Sequence, residues 1–379
     1  MSPPPPEQSE RTGVVLVYWG RLGAGAQLMT EIAQAMLGDA RFDLFASPSR
    51  QSELPRPLTR DRLMPVETFT GLPSLILRTA ILPITAERLV RRMKAAGVRL
   101  IVTLMPHVWG LALQRAARRA GIRSILIVHD ADSHPGEHRP VFDWLVRREI
   151  RRADHIVTLS DHVAERLLAR RDVEPGRLTR LFHPTFRFGP PRAQDTTRPR
   201  SFRLLFFGRI LPYKGVPMLL EAFGQLRAAR VDCTLRVVGR GTIEAPAAQL
   251  IQPGLAIETG WIKPGAIDRI LAEADAIVLP YIEASQSGVV AAAYGAGLPV
   301  VATPVGGLVE QVIDGETGVV AKSVTVAEFA NAISRLIGTP GLYERCRTGA
   351  SRMAEAQAPG RFARALGDAI DAILRQPPR

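Results

Sequence analysis

Two cations stand five residues apart in "FGRILPYKGVPMLLEAF", residues 207–223: Arg209 and Lys214. A guanidinium is a planar fork and an ammonium a point charge, and together they suit two linked phosphates. Gly208 lets a ligand approach the backbone beside them. A second stretch, "PYIEASQSGVVAAAYGAGLPVVATPVGG" (280–307), sets Glu283 before an almost side-chain-free turn and an alanine-rich helical pattern. The amides of Ser287, Gly288 and Val289 fall at the start of that helix, where free N–H groups and the helix dipole bind anions. A tight strand–helix turn packed for its own sake reads the same residues equally well.

In "IVHDADSHPGEHRP", His129 and Asp130 close a strand-like run. A neutral imidazole there can donate or accept a hydrogen bond to a bound ligand. The competing reading is a histidine held by backbone contacts at a strand end. His134, Glu137 and His138 follow, but "HPG" is a turn and breaks the helical spacing of a two-histidine metal face, so no metal site is expected. His107, His155, His162 and His183 read as structural. In "GRLGAGAQ" (20–27), Gly23 and Gly25 sit at a helix start and can approach a phosphate. The run partly resembles G-x-G-x-x-G, but its spacing fails and no acid follows a second strand at the right place.

These residues need elements to hold them. "GVVLVYWG", "FDLFAS", "VRLIVTLMP", "RSILIVHD" and "DHIVTLS" read as strands, with helical patterns between them. A proline- and arginine-rich stretch at 183–200 interrupts the pattern, which restarts at "FRLLFFG" and continues through "CTLRVVG", "AIVLPYI" and "LPVVATP". Continuous apolar strands alternating with helices indicate parallel sheets covered on both faces. The expected fold class is therefore α/β: two doubly wound, Rossmann-like parallel sheets in tandem, with ligands at the strand carboxyl ends. The expected division is a disordered tail over 1–12, a first domain over 13–185 and a linker over 186–200. A second domain over 201–355 and a C-terminal helix over 356–379 follow.

At 379 residues, two cores are the default. Two cysteines make no disulfide framework and point to a reducing compartment. The longest apolar run, "GLPSLILRTAILPITA", is broken by Arg78 and Pro83, so no membrane span is expected. The net charge is +13, of which the first 200 residues hold +11. That excess suits an anionic partner, and the basic runs "RLVRRMK" and "LVRREIRR" suit an anionic membrane surface. A solvated arginine-rich face explains them equally. With aromatic residues at 6% and no recognition motif, nucleic acid is not an expected partner.

Taken in order, "FGR–x4–KG–x3–LLEAF", "VVGRG", "ADAIVLPYIEASQSG" and "GLPVVATPVGGLVEQVIDGETGVVA" resemble the nucleotide-binding half of the retaining family 4 glycosyltransferases, the glycosyl transferases group 1. The resemblance runs from about 203 to 322 and is looser before it. It implies a GT-B fold, with two Rossmann-like domains across a cleft. It implies a nucleotide-sugar donor, UDP- or GDP-linked, held by Gly208, Arg209, Lys214, Glu283, Ser287, Gly288, Val289 and Glu310. A helix-start structural role is the alternative for Glu310. The acceptor, a glycan or a lipid-linked hydroxyl, belongs on the Gly23, Gly25, Asp130 and His134 side. His129, Arg209, Lys214 and Glu283 are the implied catalytic set, with no cofactor beyond the donor. The last helix is implied to cross back to the first domain.

One departure stands out. The family carries two glutamates eight apart, and the aligned positions here are Ala284 and Ala292. Glu283 lies one residue early, and the second glutamate, which holds the ribose, is absent. The implied activity is a metal-independent hexosyltransferase of the cytoplasm or the inner membrane face, working in polysaccharide biosynthesis. A non-catalytic relative that binds a nucleotide-sugar or scaffolds a glycan-assembly complex is the alternative. A nucleotide-dependent oxidoreductase lacks the glycine fingerprint.

Overall fold

A computed structural model describes residues 11–21, 23–52, 58–137, 140–189 and 201–377. The first half runs β1 (Thr12–Tyr18), α1 (Ala24–Met36), β2 (Phe42–Pro48), α2 (Leu72–Ala80), α3 (Leu82–Ala95), β3 (Val98–Thr103) and α4 (Gly110–Arg119). It continues through β4 (Arg123–Val128), α5 (Pro140–Arg152), β5 (His155–Thr158), α6 (Asp161–Ala169) and β6 (Leu178–Arg180). The second half runs β7 (Phe202–Phe207), α7 (Val216–Ala228), β8 (Cys233–Gly239), α8 (Ala247–Leu250), β9 (Leu255–Thr259), α9 (Ile267–Ala272) and β10 (Ala276–Leu279). Then come α10 (Gly288–Gly295), β11 (Val300–Ala302), α11 (Leu308–Gln311), β12 (Gly318–Val320), α12 (Val326–Gly338), α13 (Leu342–Ala356) and α14 (Pro359–Arg375).

The strands form two six-stranded sheets, β2-β1-β3-β4-β5-β6 and β12-β11-β10-β7-β8-β9. Neighbouring strands pair in parallel throughout. Runs such as Val14–Val17 and Ile125–Val128 are buried from both sides, as apolar strands between two helix layers must be. In each sheet the connections reverse direction once, between β1 and β3 and between β7 and β10. Open α/β sheets leave a crevice at such a reversal, outside the carboxyl ends of the strands.

The chain's last helix belongs to the first sheet. Phe362, Leu366, Ile370 and Ile373 recur at three- and four-residue spacing and are buried with Val14, Leu16 and α1. Arg41 fastens the outer face of α14 through Asp368 and Asp371, each at 2.8 Å. The described part of the expected linker is packed rather than loose. Thr185 and Phe186 are buried, and the Thr185 amide donates to the Gln357 carbonyl at 2.9 Å. The expected tail over 1–12, the linker from 190 to 200 and His138 lie wholly or mostly outside the described residues.

Several elements depart from the sequence reading. β6, β9 and β12 are strands that periodicity misses, because they are short or half-exposed. α13 is a helix whose polar sequence carries a weak apolar stripe. The helical pattern read in "GLVEQVIDG" also shortens to Leu308–Gln311, because Val312 turns extended.

Candidate functional site

The two carboxyl edges face each other, and side chains from each reach the other. Arg209 follows β7, Glu283 to Ser287 follow β10, and Asp130 to Glu137 follow β4, so the loops meet because the sheets do. Arg209 Nη1 donates to Glu137 Oε1 at 2.6 Å, and its Nη2 reaches the Tyr213 hydroxyl at 3.2 Å. His129 Nδ1 accepts from the Gln286 amide nitrogen at 2.6 Å, and its Nε2–H donates to the Leu104 carbonyl at 2.9 Å. Burial holds His129 below its ordinary pKa, which fits the neutral ring these two partners require.

Lys214 is packed rather than paired. Its Nζ stands 3.6 Å from the centre of the Tyr281 ring and 4.8 Å from that of Tyr213. Among the described residues no carboxylate lies within 4 Å of it. Burial, with the Arg209 charge helping, brings its pKa down from 10.5 to about 7. The ammonium thus loses water without gaining a counter-ion, and the two ring faces offset only part of that cost.

His134 is bracketed by both halves. Its Nε2 donates to Asp130 Oδ1 at 3.1 Å, its Nδ1 lies 3.7 Å from Glu283 Oε1, and its ring stacks on Tyr213 at 4.3 Å. Burial alone would lower its pKa. The Asp130 hydrogen bond and the two carboxylate charges outweigh burial and raise it. For Asp130 burial works upward, and the His134 contact overcomes it and lowers the value. His134, expected on the acceptor side, therefore sits against Glu283 and Tyr213 of the donor side.

The loop after β11 passes close to the turn before α10. A Cβ on Gly306, whose φ is +45°, would stand 1.8 Å from the Ala284 carbonyl oxygen. This steric reason for glycine at 306 exists whether or not a ligand binds. Ser287 is the N-cap of α10, its Oγ accepting from the Val289 amide at 3.3 Å. The Ser287 amide itself donates to Gln311 Oε1 at 2.7 Å. Of the three amides expected to meet an anion, only that of Gly288 has no partner among the described residues. Gly208, with φ +129°, lies opposite the Val289 side chain.

Glu310 departs most from the donor-side expectation. Its carboxylate accepts from the amides of Asp161 and His162, each at 2.6 Å, and so caps the N-terminus of α6 across the cleft. An acid at a helix N-terminus satisfies orphan donors and the dipole, and here the helix is α6 rather than the one that Glu310 itself opens. Gly23, with φ +94°, caps α1 after β1, with open space where a Cβ would point. A Cβ on Gly25 would meet the Tyr18 ring at 2.4 Å. His155 bonds Thr179 at 2.8 Å and His183 the Pro184 carbonyl at 2.8 Å.

Sequence reasoning gave no role to Tyr213, Tyr281, Gln286 or Gln311, or to Glu137 as a partner of Arg209. Tyr213 and Tyr281 flank the named cations and acids in sequence, which was the available signal. Glu137 and Gln286 act on partners 72 and 157 residues away, which no local pattern encodes.

Comparison with known proteins agrees with this architecture. Residues 26–184 match the family described as Glycosyltransferase Family 4, and residues 201–339 match Glycosyl transferases group 1. The chain is 28% identical over 267 residues to D-inositol 3-phosphate glycosyltransferase of Rhodococcus jostii, covering 65% of this chain and 58% of that protein. It is 27% identical over 254 residues to alpha-D-kanosaminyltransferase of Streptomyces kanamyceticus, covering 62% and 64%. The matched stretch is thus less than two thirds of either relative. Among solved structures, sucrose-phosphate synthase from Thermosynechococcus elongatus superposes with a TM-score of 0.74 at 18% identity, over 96% of this chain and 99% of that one. Anabaena HepE in complex with UDP and glucose superposes at 0.70 and 15% identity, over 96% and 100%. With one family match falling on each of two sheets that face by their carboxyl edges, the chain belongs to the group 1, family 4 glycosyltransferases and has the GT-B fold.

Proposed function

We propose that the chain moves a hexose from a UDP- or GDP-sugar to a hydroxyl of a glycan or lipid-linked acceptor, with retention at the anomeric carbon. The observation that carries this reading is Lys214, a desolvated ammonium without a carboxylate at a sheet crevice, beside Arg209. A diphosphate supplies the missing counter-charge, and it is the group that gains charge as a nucleotide-sugar breaks. Related proteins support the donor class. HepE was solved with UDP and glucose, and two of the relatives are named as a D-inositol 3-phosphate glycosyltransferase and an alpha-D-kanosaminyltransferase.

In the proposed step the anomeric carbon–phosphate oxygen bond breaks and a bond from the acceptor oxygen forms on the same face. The acceptor proton passes to an oxygen of the leaving diphosphate. Arg209 and Lys214 stabilise that group, a charge task that needs no metal ion here. His129, neutral and fixed by Leu104 and Gln286, lies at the edge where the sugar would sit. Glu283, Gly208 and Gly288 complete the donor side, with Gly23 and Asp130 on the acceptor side. No redox or organic cofactor is required by this reaction.

A second reading has its own observation. Ala284 and Ala292 stand where the family carries glutamates, which fits a relative that binds a nucleotide-sugar without turning it over. A thermal-shift panel of UDP, GDP, ADP, TDP, CMP and NAD separates these readings when it is followed by a transfer assay. One nucleoside diphosphate should raise the unfolding temperature selectively, and Lys214→Ala should abolish both the shift and turnover. A shift without hexose transfer to any acceptor favours the binding relative. No shift with any diphosphate rejects the site.

A further inference from the structure

The first sheet carries a surface that the donor site does not use. α2 has no buried residue, and only Leu75 packs inward, against the core that contains Trp19 and Trp109. Leu72, Ile76 and Leu77 are 73%, 70% and 68% exposed, and Ile81 and Ile84 continue the apolar face into α3. Lone exposed aliphatics are ordinary, but five within thirteen residues are not. The Trp109 indole donates to Thr79 at 3.0 Å and ties α2 to the carboxyl end of β3. Val141 and Trp144, 74% and 53% exposed, open α5 at the same end of the sheet.

Cations line the helices that continue from this end. α3 exposes Arg88, Arg91, Arg92 and Lys94 against the single acid Glu87, which pairs with Arg119 at 3.3 Å. α4 contains three arginines and no acid. Successive right-handed crossovers put α3, α4 and α5 on one face of the sheet, opposite α1 and α14. Burial first, then the charges of Arg115, Arg148 and Arg118, holds Arg152 below its ordinary pKa.

We propose that this face docks the protein on an anionic lipid bilayer, with α2 and the start of α5 set into the interface and α3 and α4 over the headgroups. The chemistry decides between occupants. A nucleic acid would leave the aliphatics unburied, since they offer no stacking face. A second copy of this chain would bring the same cations to the contact. A bilayer interface takes both at once, apolar side chains below and cations at the phosphate level. No described helix is long and apolar enough to cross a membrane, so the contact is a lateral one. It would hold the cleft mouth at the headgroup surface.

The proposal does not depend on the donor site, and its test reads the two separately. The full chain is floated with phosphatidylcholine vesicles and with mixed phosphatidylcholine–phosphatidylglycerol vesicles. It should float with the mixed vesicles only and detach as salt rises. Leu72→Ser/Ile76→Ser/Leu77→Ser and Arg88→Glu/Arg91→Glu should each lower the bound fraction about tenfold. Both variants should keep the parent's unfolding temperature and its nucleotide-induced shift. Failure of the folded parent to float, or equal flotation of the apolar variant, overturns the proposal. So does a parent dimer that the apolar variant converts to monomer without changing flotation.

Discussion

Glu137 of the first half holds Arg209 of the second at 2.6 Å, in the place where a diphosphate oxygen would stand. Arg209 is exposed, and an exposed ion pair contributes only about 0–1 kcal/mol. A diphosphate brings more charge and a second contact at Lys214, so it should win this competition. Donor binding then frees Glu137 from Arg209, while His134 keeps the loop stacked on Tyr213. Glu137→Ala should tighten binding of the favoured nucleoside diphosphate about two- to fivefold by calorimetry. Unchanged affinity would remove Glu137 as a competitor.

Lys214 gives the donor site a pH dependence whose sign can be worked out. In the free protein its pKa is about 7, and a bound diphosphate raises it by favouring the ammonium. Binding therefore takes up a proton above pH 7, and affinity falls as pH rises from 7 toward 9, by up to about tenfold per unit. Stability runs the other way. The folded-state value is depressed below 10.5, so the unfolded chain binds the proton more readily and the parent loses stability as pH falls from 10.5 toward 7. Lys214→Met should flatten the affinity profile at a low level and be more stable than the parent near pH 7. A nucleotide affinity independent of pH in the parent would place the diphosphate elsewhere.

Much of this site could be read from strand ends. Arg209, Lys214, Glu283 and Ser287 follow apolar runs that end in glycine or proline, and a parallel sheet puts such positions at its carboxyl edge. Reading the partners was not possible. Ser287 loses its amide to Gln311, 24 residues on in the same half, and Glu310 turns to α6 because the two sheets face each other. The small residues of 284–288 read as room for a ligand, whereas Gly306 is small for a steric reason, because its Cβ would strike the Ala284 carbonyl. The exposed face of α2 was legible only as a broken apolar run, since periodicity does not say which side of a helix lacks a neighbour.

His129 and Gln286 offer a test that separates positioning from packing. The Gln286 amide donates to Nδ1, so the ring keeps its proton on Nε2 for Leu104. Gln286→Glu replaces that donor with a carboxylate, which favours a proton on Nδ1 and a charged ring. The His129 titration, followed by NMR, should move upward from its depressed parent value. kcat should fall while KM for the donor changes little, because the diphosphate contacts are untouched. An unmoved titration would mean that Gln286 does not set the state of the ring.

Gly25 and Gly23 stand two residues apart and should respond differently to alanine. At Gly25 the added Cβ meets the Tyr18 ring at 2.4 Å, and Tyr18 is 5% exposed at the end of β1. Overpacking of this kind costs about 1–3 kcal/mol. Gly25→Ala should therefore lower the unfolding temperature, and adding Tyr18→Ala should cost less than the two single changes summed. At Gly23 the Cβ would find open space, so the cost is that of holding alanine at φ +94°, about 1–3 kcal/mol. If Gly23 lines the acceptor side, Gly23→Ala should also raise KM for the acceptor while leaving the nucleotide-induced shift unchanged. A Gly23→Ala variant with parental acceptor kinetics would reduce this turn to a helix start.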